Sequence, residues 1–135
     1  MNCIIDINVI LDVLAKREEF YKQSKEVYML SVYGVIKGYI TANMITDIYY
    51  ILEKYGSENA KNEVKKLLQL NEVLSVTELD CINALELSGE DYEDNLIIAT
   101  ATRNGVESIV TRNVDDYLNS GLIVYTPEEL IHKFK

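Results

Sequence analysis

Five short apolar runs, each separated from the next by a stretch with helical spacing, set the limits on what this chain can fold into. They are residues 2–6, 38–41, 72–76, 108–111 and 122–124. Runs this short, rich in isoleucine and valine, suit a pleated surface better than a buried helix. Helical spacing fills the intervals at 8–15, 19–37, 43–55, 77–87 and 92–104, with another helix opening at Ser57. Parallel neighbours need a crossover connection, and a helix is the usual one. The alternation therefore predicts an α/β fold with a mainly parallel five-stranded sheet.

The punctuation agrees with this division. Ile45, Ile48, Tyr49 and Leu52 recur at i, i+3, i+4 and i+7, the stripe of an amphipathic helix that Gly56 would stop. Ser57 would cap the next helix, whose apolar stripe is Ala60, Val64, Leu67 and Leu68. Gly38 and Gly105 would end two further helices, Thr77 would start one, and Gly89 would separate two. Thr126-Pro127-Glu128-Glu129 combines an N-cap, a proline at the first helical position and a glutamate at the third, which opens a short final helix.

Several function classes are excluded early. No apolar run approaches the roughly 20 residues that span a bilayer, so no membrane association is expected. Met1 to Asp6 lacks the basic start and apolar stretch of a signal peptide, which points to the cytoplasm. Cys3 and Cys81 have no CxxC spacing and read as small reduced thiols. The single histidine, His132, stands near the C-terminus, leaving a Ser–His–Asp mechanism without a base. The net charge of −9 argues against a broad basic surface for nucleic acid. Any phosphate contact would fall to local cations: Lys61, Lys65 and Lys66, or Arg103 and Arg112.

The acids are placed more informatively than they are counted. In parallel sheets ligands bind beyond the carboxyl ends of the strands. Asp6 directly follows the first run, with Asn8 two residues on. Asp47 lies off the apolar stripe of its helix. Asp91 and Asp94 share one face at the start of another helix, as N-cap and third residue. Thr111, Arg112 and Asn113 end the fourth run, and Asp115 and Asp116 follow, only one of them expected to face inward. Each acid has an ordinary reading as a cap or a solvated side chain. Gathered in one pocket, they would raise each other's pKa unless a cation neutralised them, and Mg²⁺ or Mn²⁺ is the hard ion that oxygen ligands suit.

In that order, Ile5-Asp6-Ile7-Asn8, Thr46-Asp47-Ile48, Asp91-Tyr92-Glu93-Asp94-Asn95 and Val110-Thr111-Arg112-Asn113-Val114-Asp115-Asp116-Tyr117 resemble a PIN domain. The likeness runs through nearly the whole chain and is strongest to small VapC-type toxin ribonucleases. It implies a three-layer α/β/α sandwich as one domain over 1–135, and metal-dependent cleavage of RNA. The acidic quartet it carries over is Asp6, Asp47, Asp94 and Asp116. Asp6, Asp94 and Asp116 would hold the metal, with Asn8, Asp91, Thr111, Arg112 and Asn113 supporting it or contacting phosphate. It also implies an antitoxin partner and a homodimer. Asp47 stands where a glutamate is usual, and Asn113 where many members have an aspartate. Those two departures carry a second reading, a weakened or inactive domain that binds protein or RNA. A phosphoacceptor domain would need a paired acid before Asp6 and a lysine after the last strand, and Thr126-Pro127 stands there instead.

Overall fold

The structure, a computed structural model, describes residues 1–54 and 59–135. Among these residues five strands form one sheet: β1 (Asn2–Ile5), β2 (Lys37–Thr41), β3 (Glu72–Leu74), β4 (Ser108–Val110) and β5 (Ile123–Tyr125). Their order is β3-β2-β1-β4-β5, and every adjacent pair is parallel. Among the described residues seven helices connect and cover them: α1 (Ile7–Leu14), α2 (Tyr21–Val32), α3 (Ala42–Lys54), α4 (Ala60–Leu70), α5 (Glu78–Leu85), α6 (Tyr92–Arg103) and α7 (Pro127–Lys133). A 3₁₀ turn spans Val114–Tyr117.

Cys3, Ile4 and Ile5 of β1 are all buried, although successive residues of a strand point to opposite faces. Both faces are therefore covered, as a parallel sheet requires, and the fold is an α/β/α sandwich. Ile4, Ile40 and Ile109 lie near the centre of three neighbouring strands and are fully buried. Helices pack in pairs over them, α1 on α2, α2 on α7, α3 on α4 and α5 on α6. A smaller cluster of Ala84, Leu96 and Ala99 fills the seam between α5 and α6. Among the described residues no helix is long and apolar enough to cross a membrane.

The departures from expectation have local causes. The second helix stops at Val32 rather than running to residue 37. Gly34 takes the left-handed conformation (φ 75°), and the amides of Gly34 and Val35 close back on the carbonyls of Ser31 and Leu30. That is the Schellman stop, which Gly105 repeats after α6. β3 ends at Leu74 rather than Val76, and the Ser75 carbonyl accepts a hydrogen bond from Arg103 Nη2 (2.8 Å). β5 starts one residue late because the Leu122 amide donates to Ser120 Oγ (3.1 Å). The expected stop at Gly56 and cap at Ser57 lie outside the described residues.

Two buried acids tie the scaffold together. Asp80, fully buried, closes a capping box with Thr77 and takes Arg103 Nε (2.7 Å) and Nη2 (2.9 Å), locking α5 to α6. The Arg103 guanidinium holds the Asp80 carboxyl below its ordinary range. Asp12 on α1, also fully buried, accepts from Ser24 Oγ (2.7 Å) and from Arg112 Nε and Nη2 (2.9 and 3.1 Å), with Arg17 Nη1 at 3.5 Å. The Arg112 guanidinium also stacks 3.8 Å over the Phe20 ring.

Candidate active site

The chain runs outward from β1 through β2 to β3, then returns to place β4 on the other side of β1. Ligand crevices form at such reversals. Here the Asp6 amide donates to the Val110 carbonyl (3.0 Å), so the ends of β1 and β4 meet. Asp6, only 3% exposed, accepts from the Ile7 amide at Oδ1 (2.9 Å) and from Thr111 Oγ1 at Oδ2 (2.7 Å). Thr111 Oγ1 is held in turn by the Asn113 amide (3.0 Å). Asp6 thus caps α1 and lies where the ends of β1 and β4 meet.

Asp94 reaches the same place from α6. Asp91 is the N-cap, and its Oδ1 accepts from the Asp94 amide (3.2 Å). At α5 and α7 the acid three residues after the cap folds back to complete a capping box. At α6 the Asp94 carboxylate instead takes a hydrogen bond from the Tyr117 hydroxyl (3.1 Å), which also stands 3.4 Å from Asp6 Oδ1. Three elements far apart in sequence therefore converge on one hydroxyl.

Burial is the main force on both carboxyls. It raises Asp6 above its ordinary value against the opposing hydrogen bonds from Thr111, Ile7 and Tyr117, with the Asp116 charge adding to the rise. It raises Asp94 to about 6, reinforced by the charges of Asp91, Asp116 and Asp6. Tyr117 is pushed up by burial and by the two carboxylates it faces.

Asp116 is solvent-exposed on the 3₁₀ turn, yet its charge acts on both Asp6 and Asp94. Asp115 and Asp116 both line a cleft of about 240 Å³ that runs from Asp94 towards Asn95 and Ser120. Of the two, Asp116 is the one whose charge reaches Asp6 and Asp94. Successive residues of a 3₁₀ turn are about 120° apart, so two neighbours can share a cleft while Tyr117 points into the core.

Asp47 does not join this group. It lies in a separate hollow with Asn8, Arg17 and Glu93. There its charge is the main cause of a raised Glu93 carboxyl. Arg112 is likewise not turned to a phosphate, because its guanidinium is bonded to Asp12. Arg103 is bonded to Asp80 in the same way. Lys61, Lys65 and Lys66 on α4, the other cations singled out from sequence, are exposed. Asn113 is exposed. His132 is exposed on α7, and Cys3 and Cys81 carry free thiols.

Sequence reasoning gave no site role to Asp12 or Glu93, and none to Tyr117 beyond packing. Tyr117 had a signal as the aromatic residue closing Asp115-Asp116-Tyr117. Asp12 had one as an acid between apolar neighbours of α1. Glu93 had none beyond its place between Tyr92 and Asp94.

Among the described residues no three acidic, cysteine or histidine side chains are gathered as a ready-made metal set. The donor chemistry nevertheless fits a hard cation. Asp6 and Asp94 converge on one hydroxyl, Asp116 adds charge beside them, and raised carboxyls mark a place where positive charge is wanted.

Comparison with known proteins bears on the fold and the family. The chain is 24% identical to Ribonuclease VapC1 of Aquifex aeolicus (strain VF5) over 135 residues, covering 96% of this chain and 93% of that one. A toxin–antitoxin complex from Klebsiella pneumoniae contains a chain of similar fold (TM-score 0.69, 19% identity), with 93% of this chain and 97% of that one covered. VapBC2 of Rickettsia felis, solved with a fragment of promoter DNA, contains another (TM-score 0.70, 16% identity, 93% and 98% covered). At these identities the structural likeness concerns the fold. The PIN domain family model matches residues 2–115, most of the chain, and the protein belongs to the PIN domain family.

Proposed function

We propose that this protein is a divalent-metal-dependent endoribonuclease, the toxin of a toxin–antitoxin pair. The convergence of Asp6 and Asp94 on Tyr117 at the β1–β4 reversal, with Asp116 beside them, carries the reading. Asp6, Asp94 and Asp116 would hold Mg²⁺ or Mn²⁺. When bound, such an ion polarises a phosphate and lowers the pKa of a coordinated water. The chain's own residues set the stage. Thr111 orients Asp6 through its hydroxyl, and Asp91 fixes the first turn of α6 so that Asp94 faces inward. Asn113, exposed beside Thr111, is positioned to offer an uncharged donor to a phosphate. Asp47 and Glu93 form an acidic pair in a neighbouring hollow.

The charge balance makes cation dependence strong. A phosphate approaching these carboxylates is repelled until they are neutralised, and the two arginines that could have offset it are already paired. RNA held elsewhere would meet the exposed lysines of α4. A stripe of exposed apolar residues on α5, Leu79 (54%), Ile82 (51%) and Leu85 (71%), supports a protein partner, an antitoxin or a second copy of the chain.

Cleavage of single-stranded RNA should require added Mg²⁺ or Mn²⁺ and stop in excess chelator. The Asp6→Asn variant should be inactive with its circular dichroism unchanged. Undiminished cleavage in chelator would refute the metal-dependent reading. No cleavage by the wild type under any metal would favour a binding module, a reading that Asp47 lends weight to by standing apart from Asp6, Asp94 and Asp116.

A further inference from the structure

We propose that Tyr117 is a positioning residue whose hydroxyl sets Asp6 and Asp94 in the arrangement that accepts the cation. This rests on the reading above and extends it to a residue outside the acidic set. Tyr117 is 1% exposed and ends the 3₁₀ turn, so the fold fixes where its hydroxyl lies. That hydroxyl is 3.1 Å from Asp94 Oδ1 and 3.4 Å from Asp6 Oδ1. The other donors to Asp6 are Ile7, at the start of α1, and Thr111, just after β4, and neither is hydrogen-bonded to Asp94. The Asp94 amide is held by Asp91, which does not touch Asp6. The single proton of the Tyr117 hydroxyl goes to one carboxylate at a time, Asp94 being the nearer, and among the described residues Tyr117 is the one group within hydrogen-bonding distance of both. They stand on separate elements, and like charges at short range would otherwise drive them apart.

Packing alone does not require a tyrosine here. A phenylalanine would fill the same space, and a buried hydroxyl facing two acids is costly unless it is used. Groups that orient metal ligands typically govern affinity by about ten- to a hundredfold.

The test is calorimetric titration of Mn²⁺ into the full chain, without RNA. Tyr117→Phe should weaken the Mn²⁺ dissociation constant about tenfold or more. Tyr28→Phe is the control. It removes another buried tyrosine hydroxyl, one bonded to Asn71 (3.0 Å) and remote from the acids, and should leave Mn²⁺ affinity within twofold. Unchanged or tighter binding by Tyr117→Phe beside a normally binding wild type overturns the role of Tyr117 and leaves the nuclease reading standing. Loss of affinity in both variants alike overturns it as well, since the effect would then be general loosening. A wild type that takes up no Mn²⁺ overturns both the role and the metal-dependent reading.

Discussion

Asp94→Asn should cut RNA cleavage by at least about a hundredfold, the scale of losing one group that acts on the transition state, while making the metal-free protein more stable at neutral pH. The two effects share a cause. Asp94 has a native pKa of about 6, against roughly 3.9 in an unfolded chain. Between those values the native state binds more protons than the unfolded one, so stability falls as pH rises through that window. Above it the native protein carries a carboxylate that burial and the charges of Asp91, Asp116 and Asp6 disfavour. Asparagine removes that charge. The full shift would be worth roughly 2–3 kcal/mol, and screening at this partly exposed site reduces it to about 1 kcal/mol. Thermal melts at pH 7.5 in chelator should show Asp94→Asn a few degrees above the wild type. At pH 4 the gap should close. A variant that melts lower at pH 7.5, or that retains cleavage, contradicts this assignment of Asp94.

Asp12→Ala should be the most destabilising single change at a charged position in the scaffold, by about 3 kcal/mol. Asp12 is fully buried and receives Ser24, both Arg112 donors and Arg17. Removing it leaves the largely buried Arg112 guanidinium over Phe20 without its counter-charge, and breaking a buried pair from one side costs more than the pair contributes. Arg112 adjoins Thr111, whose hydroxyl orients Asp6, so cleavage should fall along with stability. Urea denaturation measures the first effect, and a loss under about 1 kcal/mol would show that Arg112 finds another partner. Asp12→Asn keeps two hydrogen-bond acceptor sites for Arg112 and Ser24 and should lie between wild type and alanine.

The sheet was legible because strand runs and helix stripes have different periods, and each of the five runs coincides with an observed strand to within two residues at either end. Element ends were less legible where tertiary bonds decide them. The Arg103 bond to the Ser75 carbonyl and the Ser120 bond to the Leu122 amide lie outside any local pattern. Gly34 carried a local stop signal as strong as that of Gly105 but stood four residues from Gly38, to which the stop was assigned. At the site, the placement of Asp6 and Asp94 followed from chain position, since one ends a strand and the other sits in a helix's first turn. What chain position cannot convey is orientation. Asp94 and Asp80 occupy the same place after a cap, yet one turns to Tyr117 and the other folds back to Thr77 and Arg103. Arg112 looked free because its partner Asp12 lies 100 residues earlier.

A crystal soaked in Mn²⁺, with the anomalous signal mapped, addresses the metal centre most directly. The expected result is a strong peak in contact with carboxylate oxygens of Asp6 and Asp94, with Asp116 beside it. A peak seated only between Asp47 and Glu93, or none near Asp6, would contradict it.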